Sequence, residues 1–333
     1  MIPVHSSWLS AHGKLWYDDK WYRLAWIVFP QALALLAMLW FWATPTASKN
    51  AQWARPVDPA QRVSQLLALR DAAKTSKVAM DTLERDARGG EMVAEFFYGT
   101  LFDPDFKLST IVQPDASRAY DWYGKAAAQG HESSLNNLTL AFYSGKFTRV
   151  DHTRACFYAR KLGTDSFPGG LLVKGDCYAR GLGGTPIDMV QAANAYETSS
   201  AKGNARAEAT LGYFYENGLG GKPSNAETAL KHYRAAADKG DALGLHNLGA
   251  AYNSGVLGLQ RDGSEAARLI TRALEAKYEV TVQSLTSHPE LWSADFWQNL
   301  QRRLEEKGLY SGPVDGHPSP ATFDAVKKLG SRT

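Results

Sequence analysis

The sequence predicts an all-α protein: an α-solenoid of two-helix repeats behind one N-terminal transmembrane helix, closed by a small C-terminal helical module. Three observations predict it. A glycine and tyrosine phrase recurs every 37 residues, one long apolar stretch lies near the N-terminus, and the pattern changes after residue 290. The period carries most weight, because a helical hairpin of that length cannot bury its apolar face alone and needs a neighbour of the same shape.

Residues 1–23 form a short tail, and residues 24–43 read as the transmembrane helix. From Leu24 to Ala43 only Pro30 and Gln31 are not apolar, and no charge falls between Arg23 and Lys49. At about 1.5 Å per residue this stretch spans roughly 30 Å, the thickness of the hydrocarbon core. Trp16, Trp21, Tyr22 and Trp26 on one side, with Trp40, Phe41 and Trp42 on the other, match the aromatic belts of the two interfaces. Pro30 is expected to kink the helix near its start. A cleaved signal peptide fits less well, because a polar and aromatic tail comes first and Pro45-Thr46-Ala47 is a poor cleavage site. A buried core helix also fits less well, since the stretch lies outside the repeats. Lys14, Lys20 and Arg23 precede the span while Lys49, Arg55 and Arg62 follow it, so the positive-inside comparison is nearly tied. The shortness of the tail, together with the C-terminal segment discussed below, favours a cytoplasmic N-terminus and a periplasmic large domain, that is, a single-pass protein of a bacterial inner membrane.

Residues 44–59, with Pro45, Pro56 and Pro59 among small polar residues, read as a linker. Residues 60–90 read as an N-terminal helical cap of one or two helices, with a partial stripe at Val63, Leu66, Leu67 and Leu69. The repeats occupy residues 91–290. Gly175, Gly212 and Gly249 share the period with Tyr178, Tyr215 and Tyr252, and with Gly181, Gly218 and Gly255. Each phrase is followed by an Ala-rich second helix, over Ala193 to Lys202, Ala226 to Lys239 and Ser264 to Lys277. Gly203 and Gly240 are expected as left-handed caps. Counting back seven from these, and from Gly130 and Gly163, gives Tyr196, Tyr233, Tyr123 and Cys156 as inward-facing positions. The Ala and Gly positions are expected to let helices approach closely, and the tyrosines and Trp122 to fill the core. The loop Gly181-Leu182-Gly183-Gly184-Thr185-Pro186 recurs as Gly218-Leu219-Gly220-Gly221-Lys222-Pro223, with glycines free to take positive φ and a proline expected to stop the first helix. In the first unit Phe102 to Pro114 reads as an insertion, and in the second Tyr143 and Gly145 stand one residue closer than elsewhere.

This pattern resembles the Sel-one-like repeat, a relative of the tetratricopeptide repeat, over about residues 91–280. Ala126-Ala127-Ala128-Gln129-Gly130 and Ala235-Ala236-Ala237-Asp238-Lys239-Gly240 are close to the family's helix ending. The resemblance implies an adaptor that organises protein complexes, often in bacterial envelopes or secretory-pathway quality control, and it implies no catalytic residues. Partner contacts would then lie on the first helices, at positions the sequence does not single out.

Residues 291–333 form the C-terminal module. Phe296, Leu300 and Leu304, then Ala325, Val326 and Leu329, make two apolar stripes around Gly308-Leu309-Tyr310-Ser311-Gly312-Pro313-Val314-Asp315-Gly316. Leu300-Gln301, Leu304, Gly308, Tyr310, Gly312, Asp315-Gly316, Pro320, Thr322 and Ala325-Val326 resemble the first part of a peptidoglycan-binding-like domain. That resemblance implies glycan contacts from Tyr310, stacking on a sugar ring, with Asp315 shaping the loop. His317, Pro318 and Ser319 replace the usual Phe-Gly, and the closing Phe-Gln is missing. A capping hairpin that seals the last repeat is the other reading.

The net charge of +3 over 333 residues, with no basic patch interleaved with aromatics, argues against a nucleic-acid partner. Cys156 and Cys177 stand on helices expected to pack together; a disulfide is open to them, and two buried thiols are the simpler reading. Gly220-Gly221-Lys222-Pro223-Ser224 lacks the earlier glycine of a phosphate loop and places Pro where an N–H is needed. The histidines are scattered, without ligand spacing. Asp103, Asp105 and Asp115 read as solvated loop carboxylates rather than cation ligands. No catalytic residue, metal or cofactor is expected. The functional expectation is a membrane-anchored, non-catalytic scaffold that organises a protein complex in the bacterial cell envelope. The alternative is a peptidoglycan-binding accessory to a cell-wall-remodelling system.

Overall fold

The structure, a computed structural model, describes residues 58–331. The tail, the predicted span 24–43 and the linker as far as residue 57 lie outside the described residues. Among the described residues every regular element is helical, and no helix is long and apolar enough to cross a membrane. The chain from Pro59 onward forms one compact unit.

The cap is two helices, α1 (Pro59–Ala73) and α2 (Lys77–Arg88). The predicted stripe on α1 is only partly right: Leu66 is fully buried, while Val63 and Leu67 are exposed. Ion pairs from Arg62 to Asp86 (2.9 Å) and Glu91 (2.6 Å) tie α1 to the end of α2 and the turn that follows. The first helices of the successive units are α3 (Met92–Thr100), α5 (Glu132–Ser144), α7 (Pro168–Arg180), α9 (Ala205–Asn217) and α11 (Ala242–Ser254). Their second helices are α4 (Ala116–Ala128), α6 (His152–Ala159), α8 (Met189–Ala201), α10 (Ala226–Asp238) and α12 (Gly263–Glu275).

Each first helix from α5 onward ends on a glycine in the left-handed region, at Gly145, Gly181, Gly218 and Gly255. This glycine, rather than the loop proline, stops the helix; Pro186 and Pro223 lie in the turn beyond it. Two residues on, a second left-handed residue recurs at Phe147, Gly183, Gly220 and Leu257, with φ between 57 and 63°. The second helix then starts from a repeated cap. Asp115, Asp151, Asp188, Asn225 and Asp262 each accept a backbone N–H from the first turn with a side-chain oxygen. Their own N–H groups donate back to the first helix or the residues just after it: Asp188 to the carbonyl of Tyr178, Asn225 to Tyr215 and Asp262 to Tyr252, at 2.8–3.0 Å. The periodic tyrosines of the first helices thus mark where the hairpin closes.

Tyr123, Tyr196 and Tyr233 are almost fully buried, as their register requires, and Trp122 is buried beside them. Cys156 holds the equivalent place in the second unit, also fully buried, and it is bonded to Cys177 on α7 rather than being a free thiol. The two cysteines face each other across α6 and α7, so the bond crosses from one unit to the next. After α12 come α13 (Glu279–Ser287), α14 (Ala294–Glu306) and α15 (Pro320–Gly330). Their Phe296, Trp297, Leu300, Leu304, Ala325 and Val326 share one core with Ala266, Ile270 and Leu274 of α12. The C-terminal helices therefore seal the last repeat directly.

Candidate partner-binding face

The first helices lie on the tighter side of the array. The cap helix α1 packs on α3, α5 on α7 and α9 on α11, while α3 with α5 and α7 with α9 do not pack in this way, and no successive pair among the second helices α4, α6, α8 and α10 does. Packing on one side only makes the first-helix side the inner one. On it, Leu140, Asp176, Tyr213 and Ala250 occupy the same register position of α5, α7, α9 and α11. Leu140 is 37% exposed and Tyr213 49%, while Asp176 and Ala250 between and beyond them are half-buried. Gly169, beside Leu140, carries no side chain to cover it; a Cβ there would lie 3.4 Å from Leu140 Cδ2.

The polar groups of this face form a repeated bond. The hydroxyl of Tyr123 donates to Asp103 (2.7 Å), that of Tyr196 to Asp176 (2.8 Å) and that of Tyr233 to Glu216 (2.6 Å). Asp176 also accepts from Tyr143 on the neighbouring helix (2.5 Å). Burial first, and then the adjacent carboxylate, push all four phenols well above their usual range, so they stay protonated donors. Neither Asp176 nor Glu216 makes an ion pair among the described residues; Arg180, one turn beyond Asp176, is the nearest cation acting on its tyrosines.

At one end of the row the first-unit insertion stands against α5 and encloses a cavity of about 200 Å³, lined by Asp105, Phe106, Asn137, Leu140, Ser144 and Lys146 among others. Phe106 is 46% exposed there. Two bonds hold the cavity's rim: Lys146 pairs with Asp105 at 2.5 Å, and Tyr120, its phenol pushed up to about 12 by burial and the nearby aspartates, donates to the Lys146 carbonyl (3.1 Å). A larger recess, about 650 Å³, adjoins Arg206, Lys277 and Gly330. Its cations are already engaged, Arg206 with Asp241 (2.8 Å) and Lys277 with the Leu329 carbonyl (2.7 Å).

The residues singled out in the sequence are placed as follows. Asp103 is buried rather than solvated, accepting from Tyr123 and from the Asp105 N–H, and Asp115 is a helix cap, so the loop acids are structural and do not converge. Among the described residues no group of three or more His, Cys, Asp or Glu could hold a metal ion. In the C-terminal module Tyr310 is 6% exposed and donates its hydroxyl to the Pro313 carbonyl (2.8 Å). Stacking on a sugar would require that ring to turn outward. Asp315 is exposed and accepts from the His317 N–H (2.9 Å), a bond that lowers its carboxyl below the usual range. Sequence reasoning missed the open row. Its only signal was that the position next to each periodic glycine changes type from unit to unit.

Comparison with known proteins agrees with this geometry. Residues 94–131, 175–204, 205–241 and 242–278 match the Sel1 repeat model, which passes over the second unit. Curated proteins give no match. A protective antigen of uropathogenic Escherichia coli strains, displaying an SLR fold, is 24% identical with a TM-score of 0.52, covering 76% of this chain and 55% of its own. The chain thus spans little more than half that antigen's length, and the likeness concerns the fold. A Sel1 repeat protein from Oxalobacter formigenes is 22% identical with a TM-score of 0.47, covering 65% of this chain and 88% of its own. An immunity protein from Pseudomonas aeruginosa is 19% identical with a TM-score of 0.36, covering 75% and 79%. The hairpins α3–α4 and α7–α12 thus match the Sel1 repeat, over somewhat less than half of the chain.

Proposed function

We propose that this protein is a non-catalytic scaffold, anchored in a bacterial inner membrane by residues 24–43, that holds a protein partner on its first-helix face. The observation that carries this reading is the row Leu140, Asp176 and Tyr213 at equivalent positions beside the cavity at Phe106, exposed at Leu140 and Tyr213 and half-buried at Asp176. Repeats whose periodic glycines and tyrosines are engaged in packing leave this row, which differs from unit to unit, for recognition. The apolar stretch 24–43 supports anchoring, and the short tail supports a periplasmic repeat domain.

Two measurements test the reading. A reporter active only in the periplasm should work when fused after Thr333 and fail when fused before Met1; the reverse result places the repeats in the cytoplasm. Purification of the full chain from membranes in mild detergent should bring along a defined partner protein, and Tyr213→Ala should reduce its yield. A partner retained equally by Tyr213→Ala and Leu140→Asp would mean that another surface carries the interaction.

A further inference from the structure

We infer that the occupant of the inner face is an extended, basic peptide segment that seats an apolar side chain in the cavity at Phe106 and Leu140 and, three residues away, a Lys or Arg at Asp176. The inference deepens the scaffold reading and rests on it. The cavity, about 200 Å³ with two exposed apolar side chains on its wall and polar groups at its rim, is of the size and character that takes one side chain. Beyond it the next unit presents Asp176, a carboxylate whose two oxygens each accept a tyrosine hydroxyl, from Tyr143 and Tyr196. Neutral donors fix the position of this carboxylate without cancelling its charge, and Glu216 is held in the same way by Tyr233. Asp176 and Glu216 are thus ordered carboxylates that make no ion pair among the described residues, the complement of a cationic side chain. Arg180, exposed one turn away, acts on the hydroxyls of Tyr143 and Tyr196 and makes no ion pair with Asp176 itself. The uncovered ring of Tyr213, at the same register on α9, offers a π-face to the same cation.

The spacing follows from geometry. Leu140 and Asp176 occupy equivalent positions on first helices in contact, whose axes lie about 8–10 Å apart. An extended chain advances about 3.3 Å per residue, so about three residues carry it from one unit to the next.

The test selects from a phage-displayed library of random heptapeptides on the full chain held in detergent. Enriched sequences should carry Lys or Arg three residues from Leu, Ile, Met or Phe. A synthetic enriched peptide should lose at least tenfold in affinity when its cation is replaced by Glu, when Asp176→Asn is used, or when Leu140→Asp is used. Asp176→Asn keeps an acceptor for a tyrosine hydroxyl, and its melting temperature, with that of Leu140→Asp, confirms folding. Enrichment of acidic or uncharged peptides, no enrichment at all, or binding indifferent to both variants overturns the inference. If peptides fail while a membrane partner still co-purifies and is lost with Tyr213→Ala, the scaffold reading stands and only the peptide assignment falls.

Discussion

Gly212 on α9 and Tyr233 on α10 form a fitted pair: a Cβ at 212 would lie 2.6 Å from the Tyr233 ring, closer than any side chain tolerates. The same fit joins Gly175 to Tyr196, and Ile270 replaces the tyrosine opposite Gly249. The ring passes where a side chain is missing, and its hydroxyl reaches Glu216 on the same helix as the glycine. This pairing sets how closely the two helices of a unit pack.

The pair can be broken from either side. Tyr233→Ala should cost about 3–5 kcal/mol through the lost ring and the cavity left behind. Gly212→Ala should cost about 1–3 kcal/mol by overpacking. Chemical denaturation of both variants checks this, and wild-type stability for Gly212→Ala would show that the helices separate freely. Tyr215, half-buried and stacked on His232 at 5.3 Å, should cost less than Tyr233 when replaced by Ala.

Reduction should weaken the array at one seam. The Cys156–Cys177 bond closes a loop with a sequence separation of 21, which in the chain-entropy account is worth about 3 kcal/mol. Melting with and without dithiothreitol should differ by several degrees, and a Cys156→Ala, Cys177→Ala double variant should show no such difference. Equal melting of the wild type in both conditions would refute it.

Acid should destabilise the last repeat through His246. Burial lowers this imidazole to about 4, and Thr281, Tyr278 and Trp292 surround it without supplying a charge. Unfolded, it titrates near about 6.5, so between these values the unfolded state binds the extra proton. Its stabilising contribution is whole above about 6.5 and falls as pH drops toward 4, by about 3 kcal/mol in full. His246→Gln should flatten that part of the profile when unfolding is measured at pH 7.5 and pH 5. An unchanged slope would mean that other groups dominate.

The C-terminal loop should depend on one buried amide. Gln301 is fully buried, accepts the N–H groups of Asp315 (3.0 Å) and Gly316 (2.9 Å), and donates to the His317 carbonyl (2.9 Å). Gln301→Ala would strand these groups at about 1–3 kcal/mol, whereas Tyr310→Phe, losing only the bond to Pro313, should cost about 1 kcal/mol. Amide exchange across residues 308–317 would resolve the two.

Much of the fold was legible because packing and capping both repeat at one period. The glycines at 181, 218 and 255 and the tyrosines at 196 and 233 have one solution each, and the structure adopts it. The cap series from Asp115 to Asp262 is equally periodic, but an Asp or Asn in a turn suits a solvated loop as well as a helix cap, so Asp115 reads from sequence as a loop acid. Phe147 and Leu257 hide their left-handed positions behind residue types that rarely adopt them. The cavity was not legible: it arises where the insertion folds back beside α5, and contacts of that kind leave no local pattern.

The second unit departs from its neighbours at the place where they are fastened. Thr139 stands where they have glycine, its buried hydroxyl without a partner among the described residues, and Cys156 stands where they have tyrosine. Where the other hairpins are held by fitted rings and hydrogen bonds, this one is joined to the next by a covalent link of the kind that persists in oxidising surroundings. A copy retained among reducing thiols would keep every helix yet be loosest between α6 and α7, beside the Asp176 carboxylate.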